Sequence, residues 1–181
     1  VKQSGGYLSQ PRWADNFAKM GVVHTNTEVL LTKEELKKLT PTMINKLIVK
    51  AIYNNEYDFQ RERMIKFDRD ARAEGIERLL YFCPNCNSPM TVFGHEDDIY
   101  CSKCGKIGHI NQYEFIEDSK YDNLVDWNKF QYKHIEEVIK SEFVFVATLN
   151  LVNTDSYRNI KIGEYKVTYK KKTLYFTDKN S

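Results

Sequence analysis

The stretch YFCPNCNSPMTVFGHEDDIYCSKCGK, Tyr81 to Lys106, contains every cysteine of this 181-residue chain. Cys83-Pro84-Asn85-Cys86 and Cys101-Ser102-Lys103-Cys104 are two C-x-x-C pairs with fourteen residues between them, the spacing of a zinc ribbon. Two residues between thiols let one tight turn present both sulfurs to a single ion. Such a turn often needs a left-handed residue, which Gly105 suits and Asn87 tolerates. Between the pairs, Met90 to Phe93 reads as a strand, Gly94 to Asp98 as a polar turn, and Ile99 and Tyr100 as the returning strand. Cys83, Cys86, Cys101 and Cys104 are therefore assigned as metal ligands. Four thiolates fill a tetrahedral sphere and suit a structural Zn²⁺. The same set also suits iron in a rubredoxin-like site, and two disulfides are the third possibility, although a small secreted scaffold usually carries more cysteine. A catalytic zinc needs an open position for water, which four thiolates do not leave. His95, at the hairpin tip, and His109 read as polar surface residues rather than ligands.

Composition narrows the function classes. Hydrophobic residues make up 41% of the chain and aromatics 13%, enough for packed cores. Basic and acidic residues nearly balance, 27 against 25, which argues against a protein dominated by phosphate-backbone binding. No apolar run approaches the roughly 18–20 residues that span a bilayer, and no signal-peptide pattern opens the chain. The chain begins at Val1 in VKQSGGYLSQPRW and closes on strand-like residues, so a fragment of a longer protein is expected.

Outside the ribbon, Gly5, Gly6 and Pro11 mark a loop, and Gly21 to Leu31 reads as one or two short strands. Thr32 with Glu35 forms a capping box. Thr40 followed by Pro41 starts a second helix on which Ile44, Leu47, Ile48, Ala51 and Ile52 form one apolar stripe at helical spacing. Glu56 to Phe67 reads as a charged helix. Six basic and five acidic residues interleave from Arg61 to Arg78, the pattern of a solvated, salt-bridged face. Ile107 to Ile116 supplies a third ribbon strand. Tyr121 to Phe143 reads as an amphipathic helix capped by Asp122, with Leu124, Trp127, Phe130, Ile135, Val138 and Ile139 on its apolar side. Phe143 to Asp178 reads as a meander of about three strands, basic from Arg158 onward.

No phosphate loop, nucleophile elbow or H-E-x-x-H helix is present. His109 and Glu114 have the look of a base and its orienting acid, but residues five apart on a regular strand point to opposite faces. No catalytic residue is assigned, and the sequence identifies no substrate-binding residue.

Read in order, GGYLSQPRWA (Gly5 to Ala14), EVLLTKEEL (Glu28 to Leu36) and the Ile44 to Ile52 helix resemble the C-terminal flank of the acyltransferase domain in bacterial 1-acyl-glycerol-3-phosphate (lysophospholipid) acyltransferases. NNEYDFQRERMIKF, EGIERLLYFCP and VDWNKFQ extend the resemblance to about residue 140. It implies an α+β chain: the end of an α/β acyltransferase domain (1–55), a helical linker (56–80), the zinc ribbon (81–117), an amphipathic helix (120–142) and a β-rich accessory segment (143–181). It implies a parent enzyme that moves an acyl group from a thioester donor to a lysophospholipid hydroxyl, at the cytoplasmic membrane surface, as a peripheral cytoplasmic protein. The family's H-x-x-x-x-D and E-G-T-R-like motifs do not occur here, so this chain alone is expected to be inactive. The partners implied are the parent domain, the membrane surface and the lipid and acyl donor reached through it. Arg12 and Trp13 are placed either toward the bilayer or in a structural role. The alternative is a zinc-ribbon module that binds nucleic acid or protein, and the acidic tip Gly94 to Asp98 argues against nucleic acid. A third possibility is a scaffold whose ribbon joins two domains.

Overall fold

The computed structural model describes residues 1–14, 22–140, 145–153, 160–170 and 173–178. Within them the chain is α+β, with five α-helices and three small antiparallel sheets. It divides into two compact units, Val1–Lys129 and Phe130–Ser181.

In the first unit, β1 (Lys2–Ser4) pairs with β2 (His24–Asn26), and α1 (Gly6–Ser9) lies between them in the chain. Only this short strand forms where one or two strands ending near Leu31 are expected, and Gly21 is outside the described residues. Helix α2 (Lys33–Leu36) opens on the capping box: the Glu35 N–H donates to Thr32 Oγ1 at 3.3 Å and the Thr32 N–H to Glu35 Oε2 at 2.7 Å. Helix α3 (Pro41–Ile52) begins as its sequence dictates, with Thr40 Oγ1 accepting from the Met43 N–H and Pro41 in the first turn. Its apolar stripe forms one face of the helix, and no α3 side chain is buried.

Helix α4 (Glu56–Arg63) stops short of the expected Phe67, at Met64 in a left-handed conformation (φ 49°). The cause is Gln60, fully buried, whose Oε1 accepts the Ile65 N–H at 3.3 Å while its amide donates to the carbonyls of Ile65 and Tyr113. A side chain that captures the next backbone groups competes with helix propagation.

The ribbon is a four-stranded sheet in the order β3 (Val92–His95), β4 (Asp98–Cys101), β5 (Gly105–Ile110), β6 (Ile116–Glu117). His95 pairs with Asp98, so the turn is only Glu96-Asp97 and Gly94 belongs to the strand rather than to the turn. The glycine is required by a close approach. A Cβ built on Gly94 would lie 1.7 Å from the Ala73 carbonyl oxygen. The expected single strand from Ile107 to Ile116 is broken at Asn111, whose Oδ1 accepts the N–H groups of Tyr113 and Phe115 at 2.9 and 3.1 Å. That turn sets Glu114 at φ 66° and buries it.

Segment 67–78 wraps this hairpin. The Phe67 N–H donates to the Gln112 carbonyl and the Ala73 N–H to that of Glu96, at 2.9 and 2.8 Å. Arg72 donates from its backbone N–H to Asp97 Oδ1 at 2.7 Å and from Nη1 to Oδ2 at 2.9 Å, and its Nε lies 4.0 Å from Glu114 Oε1. The charged run is therefore not wholly a solvated face: Arg69 and Arg72 turn inward. The Arg72 carbonyl accepts from the Trp13 indole at 3.1 Å. Trp13 is core, the structural one of the two roles open to it from sequence.

Helix α5 (Leu124–Lys140) begins later than the expected Tyr121 and is capped by Asn123, whose Oδ1 accepts the Asp126 N–H at 2.9 Å. Asp122, the expected cap, instead accepts from Arg61 Nη2 at 2.9 Å. Trp127 is fully buried and donates its indole N–H to the Phe82 carbonyl at 2.9 Å.

In the second unit, β7 (Phe145–Asn153), β8 (Ile160–Lys170) and β9 (Thr173–Asp178) form an antiparallel meander. Ala147, Val167 and Phe176 share one row and Thr148, Lys166 and Thr177 the next, so the alternation read in Lys161 to Lys170 separates apolar from polar rows. The expected strand and helix ends at 141–144, 158–159 and 171–172 lie outside the described residues, as does Lys179.

Replacing Gly94 by alanine forces β3 off the Ala73 carbonyl. Gly94→Ala is expected to cost about 2–3 kcal/mol, read as a lowered urea midpoint at unchanged metal content.

Candidate metal centre

Each cysteine pair sits on a knuckle whose backbone is organised before any ion is considered. In the first, the Cys83 carbonyl accepts the Asn87 N–H at 3.0 Å and the Cys83 N–H donates to the Ser88 carbonyl at 3.1 Å. Asn87 closes the turn at φ 52°. In the second, the Lys103 N–H points at Cys101 Sγ, 3.4 Å away, and Gly105 follows at φ 79°. The two left-handed positions are those expected from sequence. Gly105 has open space around it, so backbone conformation alone calls for glycine there.

The β3–β4 register places Val92 against Cys101 and brings the knuckles together. Cys83 Sγ lies 3.9 Å from Cys104 Sγ, and Cys86 Sγ lies 3.8 Å from Cys101 Sγ. All four sulfurs lie within 4.8 Å of one another. A tetrahedron with metal–sulfur bonds of about 2.3 Å has sulfur–sulfur edges of roughly 3.8 Å. The donor set therefore fits a metal ion held by four cysteines. Cys83 and Cys101 are buried, whereas Cys86 and Cys104 face solvent, so an ion has a path in from the exposed side.

Four thiols this close do not ionise independently. The Cys86 thiol is lowered to about 6, chiefly by the Ser88 hydroxyl, which favours its thiolate. Cys104 is pushed up to about 12 by the sulfurs beside it, Cys86 first. Burial raises Cys83. A divalent cation among these sulfurs removes the repulsion that keeps the later protons on. Lys103 Nζ donates to Ser88 Oγ at 2.9 Å, placing a positive charge one hydroxyl away from Cys86. Thr91 Oγ1 lies 3.4 Å from Cys101 Sγ. Sequence reasoning does not single out Ser88, Thr91 and Lys103. The serine or threonine beside a knuckle and the lysine within one are the signals that point to them.

The other sequence candidates do not join the cluster. His95 is exposed, with Nδ1 3.4 Å from Glu74 Oε1. His109 and Glu114 are not brought together. His109 Nδ1 is 2.7 Å from Asp98 Oδ1, on the sheet surface, while Glu114 is buried beside Arg72. Asp98 also accepts from Lys106 Nζ at 2.8 Å, and Lys106 and then His109 hold its carboxyl below the usual range. The tip that reads as acidic is largely neutralised, with Asp97 on Arg72 and Asp98 on Lys106.

Comparison with protein-family models, with curated proteins and with solved structures returns no match. No helix among the described residues is long and apolar enough to cross a membrane.

The cluster is expected to bind one metal ion per chain, identified by metal analysis and read also as protection of all four thiols from a thiol reagent. Ion uptake displaces the thiol protons still held by the metal-free protein, so it weakens as pH falls and does so more steeply below about pH 6, where Cys86 is protonated as well. Cys83→Ser leaves three thiolates and lowers affinity by several orders of magnitude in a chelator competition.

Proposed function

We propose that this chain is the C-terminal, non-catalytic part of a phospholipid-biosynthesis acyltransferase, in which the four cysteines hold a structural Zn²⁺. The parent transfers an acyl group from a thioester donor to a lysophospholipid hydroxyl, and this chain stiffens and positions the C-terminal side of the catalytic domain. One observation carries the non-catalytic role. Among the described residues, the densest chemical cluster is a four-thiolate set with no ligand position left for water or substrate. A closed site of that kind stabilises a fold rather than activating a nucleophile. The acyltransferase assignment rests on the resemblance of GGYLSQPRWA and the segments after it. It is supported by the burial of Leu8 and Trp13 of that motif and by the hydrogen bond from Trp13 to the Arg72 carbonyl, as parts of one unit would show.

A second reading has its own observation. On the ribbon's open face Phe93 stacks on Tyr100, with ring centroids 5.6 Å apart, and Tyr100 pairs with Lys106 on the next strand. Stacked aromatics beside a cation suit a single-stranded nucleic acid. Lys106 is already engaged by Asp98, which weakens that platform.

The two separate experimentally. The reading frame that encodes this chain should carry an H-x-x-x-x-D motif upstream. Its product should label lysophosphatidic acid from an acyl-carrier or coenzyme A thioester, while this chain alone labels none. A frame without that motif, together with a salt-dependent shift of labelled oligonucleotide by this chain, rejects the acyltransferase role in favour of the second reading.

A further inference from the structure

Access and hydrogen bonding make the four sulfurs of the cluster unequal. Cys83 and Cys101 are buried, and Cys86 and Cys104 face solvent. Backbone N–H groups of Asn85 and Cys86 reach Cys83, and that of Lys103 reaches Cys101 at 3.4 Å. Cys86 receives the Ser88 hydroxyl, whose oxygen is in turn held by Lys103 Nζ at 2.9 Å. The neighbouring groups that act most on Cys104 are the three other sulfurs, which have no proton to donate once they ligate an ion. A hydrogen bond donated to a metal-bound thiolate draws off part of its charge and weakens it as a nucleophile. Cys104 is therefore the sulfur that is both open to solvent and least quenched.

The geometry also supplies a partner for it. Cys83 Sγ, from the other knuckle, lies 3.9 Å from Cys104 Sγ, and Cys86 Sγ lies 3.8 Å from Cys101 Sγ. A disulfide needs about 2.05 Å between sulfurs, so each pair closes by a movement of about 2 Å. Cys104 has room for it, being exposed and followed by Gly105 with open space around it. Each of these two pairs joins an exposed sulfur to a buried one. An oxidant in solution meets the first, while the second is shielded until its partner has reacted.

We propose that the metal centre is a reversible oxidation site for hydroperoxides, in which Cys104 attacks, Cys83 resolves and release of the ion is the output. This rests on the reading that the cluster holds a metal ion, and it adds a response to a role that is otherwise structural. The Cys104 thiolate attacks hydrogen peroxide, forming an S–O bond as the O–O bond breaks, and the leaving hydroxide takes a proton to become water. The Cys83 thiolate then attacks the sulfenic sulfur, forming the disulfide and expelling a second hydroxide, which is protonated likewise. Two electrons pass from the sulfurs to the peroxide. A second peroxide oxidises Cys86 and Cys101 in the same way, and with no thiolate left the ion departs. Reduction returns the four thiols and the site refills.

The test uses the full chain loaded with Zn²⁺, its metal content measured first. One equivalent of hydrogen peroxide should give Cys83–Cys104 as the first disulfide in peptide maps, roughly fivefold over any other pair. Two equivalents should release the ion to a chromophoric chelator and leave a mass four hydrogen atoms below that of the reduced chain. A phosphine reductant with added Zn²⁺ should restore both mass and metal content. In zinc-loaded Ser88→Ala, Cys86 loses its hydrogen-bond donor, and the share of Cys86–Cys101 as first disulfide should rise severalfold. A chain that takes up no ion rejects the metal-centre reading and this proposal together. A loaded chain that keeps its ion and its four thiols under peroxide overturns the oxidation alone. A first disulfide within one C-x-x-C pair, or a map that Ser88→Ala leaves unchanged, overturns the roles given to Cys104 and Cys83.

Discussion

The grip of segment 67–78 on the ribbon hairpin governs the rest of the first unit. Arg72 holds Asp97 at two points, the Ala73 N–H closes on the Glu96 carbonyl, and the Ala73 carbonyl passes where Gly94 has no side chain. A two-stranded hairpin is marginal alone in water. Here it is one wall of a core that also contains Leu8, Trp13 and Ile76. The ion pairs at this seam include buried Glu114, and a buried charge that loses its partner is costly. The seam thus specifies one docking geometry more than it adds stability, and it binds the N-terminal residues, the 67–78 wrap and the ribbon into one unit.

The metal centre takes advantage of that rigidity. Its knuckles are shaped by backbone hydrogen bonds and by Asn87 and Gly105 in left-handed conformations, so little remains to be ordered when an ion enters. Ser88, the Lys103 amide and the Lys103 ammonium surround the sulfurs with hydrogen-bond donors and positive charge. A tetrathiolate site carries net negative charge, and such surroundings spread it. Two of the four cysteines face solvent, so an ion held by the cluster would be open to exchange from that side.

The readable parts were those decided locally. A C-x-x-C pair, a Thr-x-x-Glu box and a Thr-Pro helix start each act within a few residues, and each stands where the sequence placed it. The parts that escaped depend on distant chain. Gly94 looks like turn filler until the Ala73 carbonyl arrives from twenty-one residues away. Gln60 looks like one more polar helix residue, but it is buried and ends α4 by binding Ile65 and Tyr113. Arg69 and Arg72 look solvated in a mixed charge run, and only the position of Asp97 and Glu114 shows that they turn inward. The α3 stripe exposes the limit of periodicity, which finds an apolar face without saying what it meets.

Trp127 connects the metal to an observable of the protein itself. Its indole is fully buried and donates to the carbonyl of Phe82, the residue immediately before the ligand Cys83. Any loosening of that knuckle is felt at the indole through a single peptide unit. The other tryptophan, Trp13, is also buried but donates to the carbonyl of Arg72, in the 67–78 segment rather than in a knuckle. The molecule therefore contains two tryptophans with different addresses. With Trp13 replaced by phenylalanine, the emission of Trp127 becomes an optical gauge of cation occupancy that needs no dye or label.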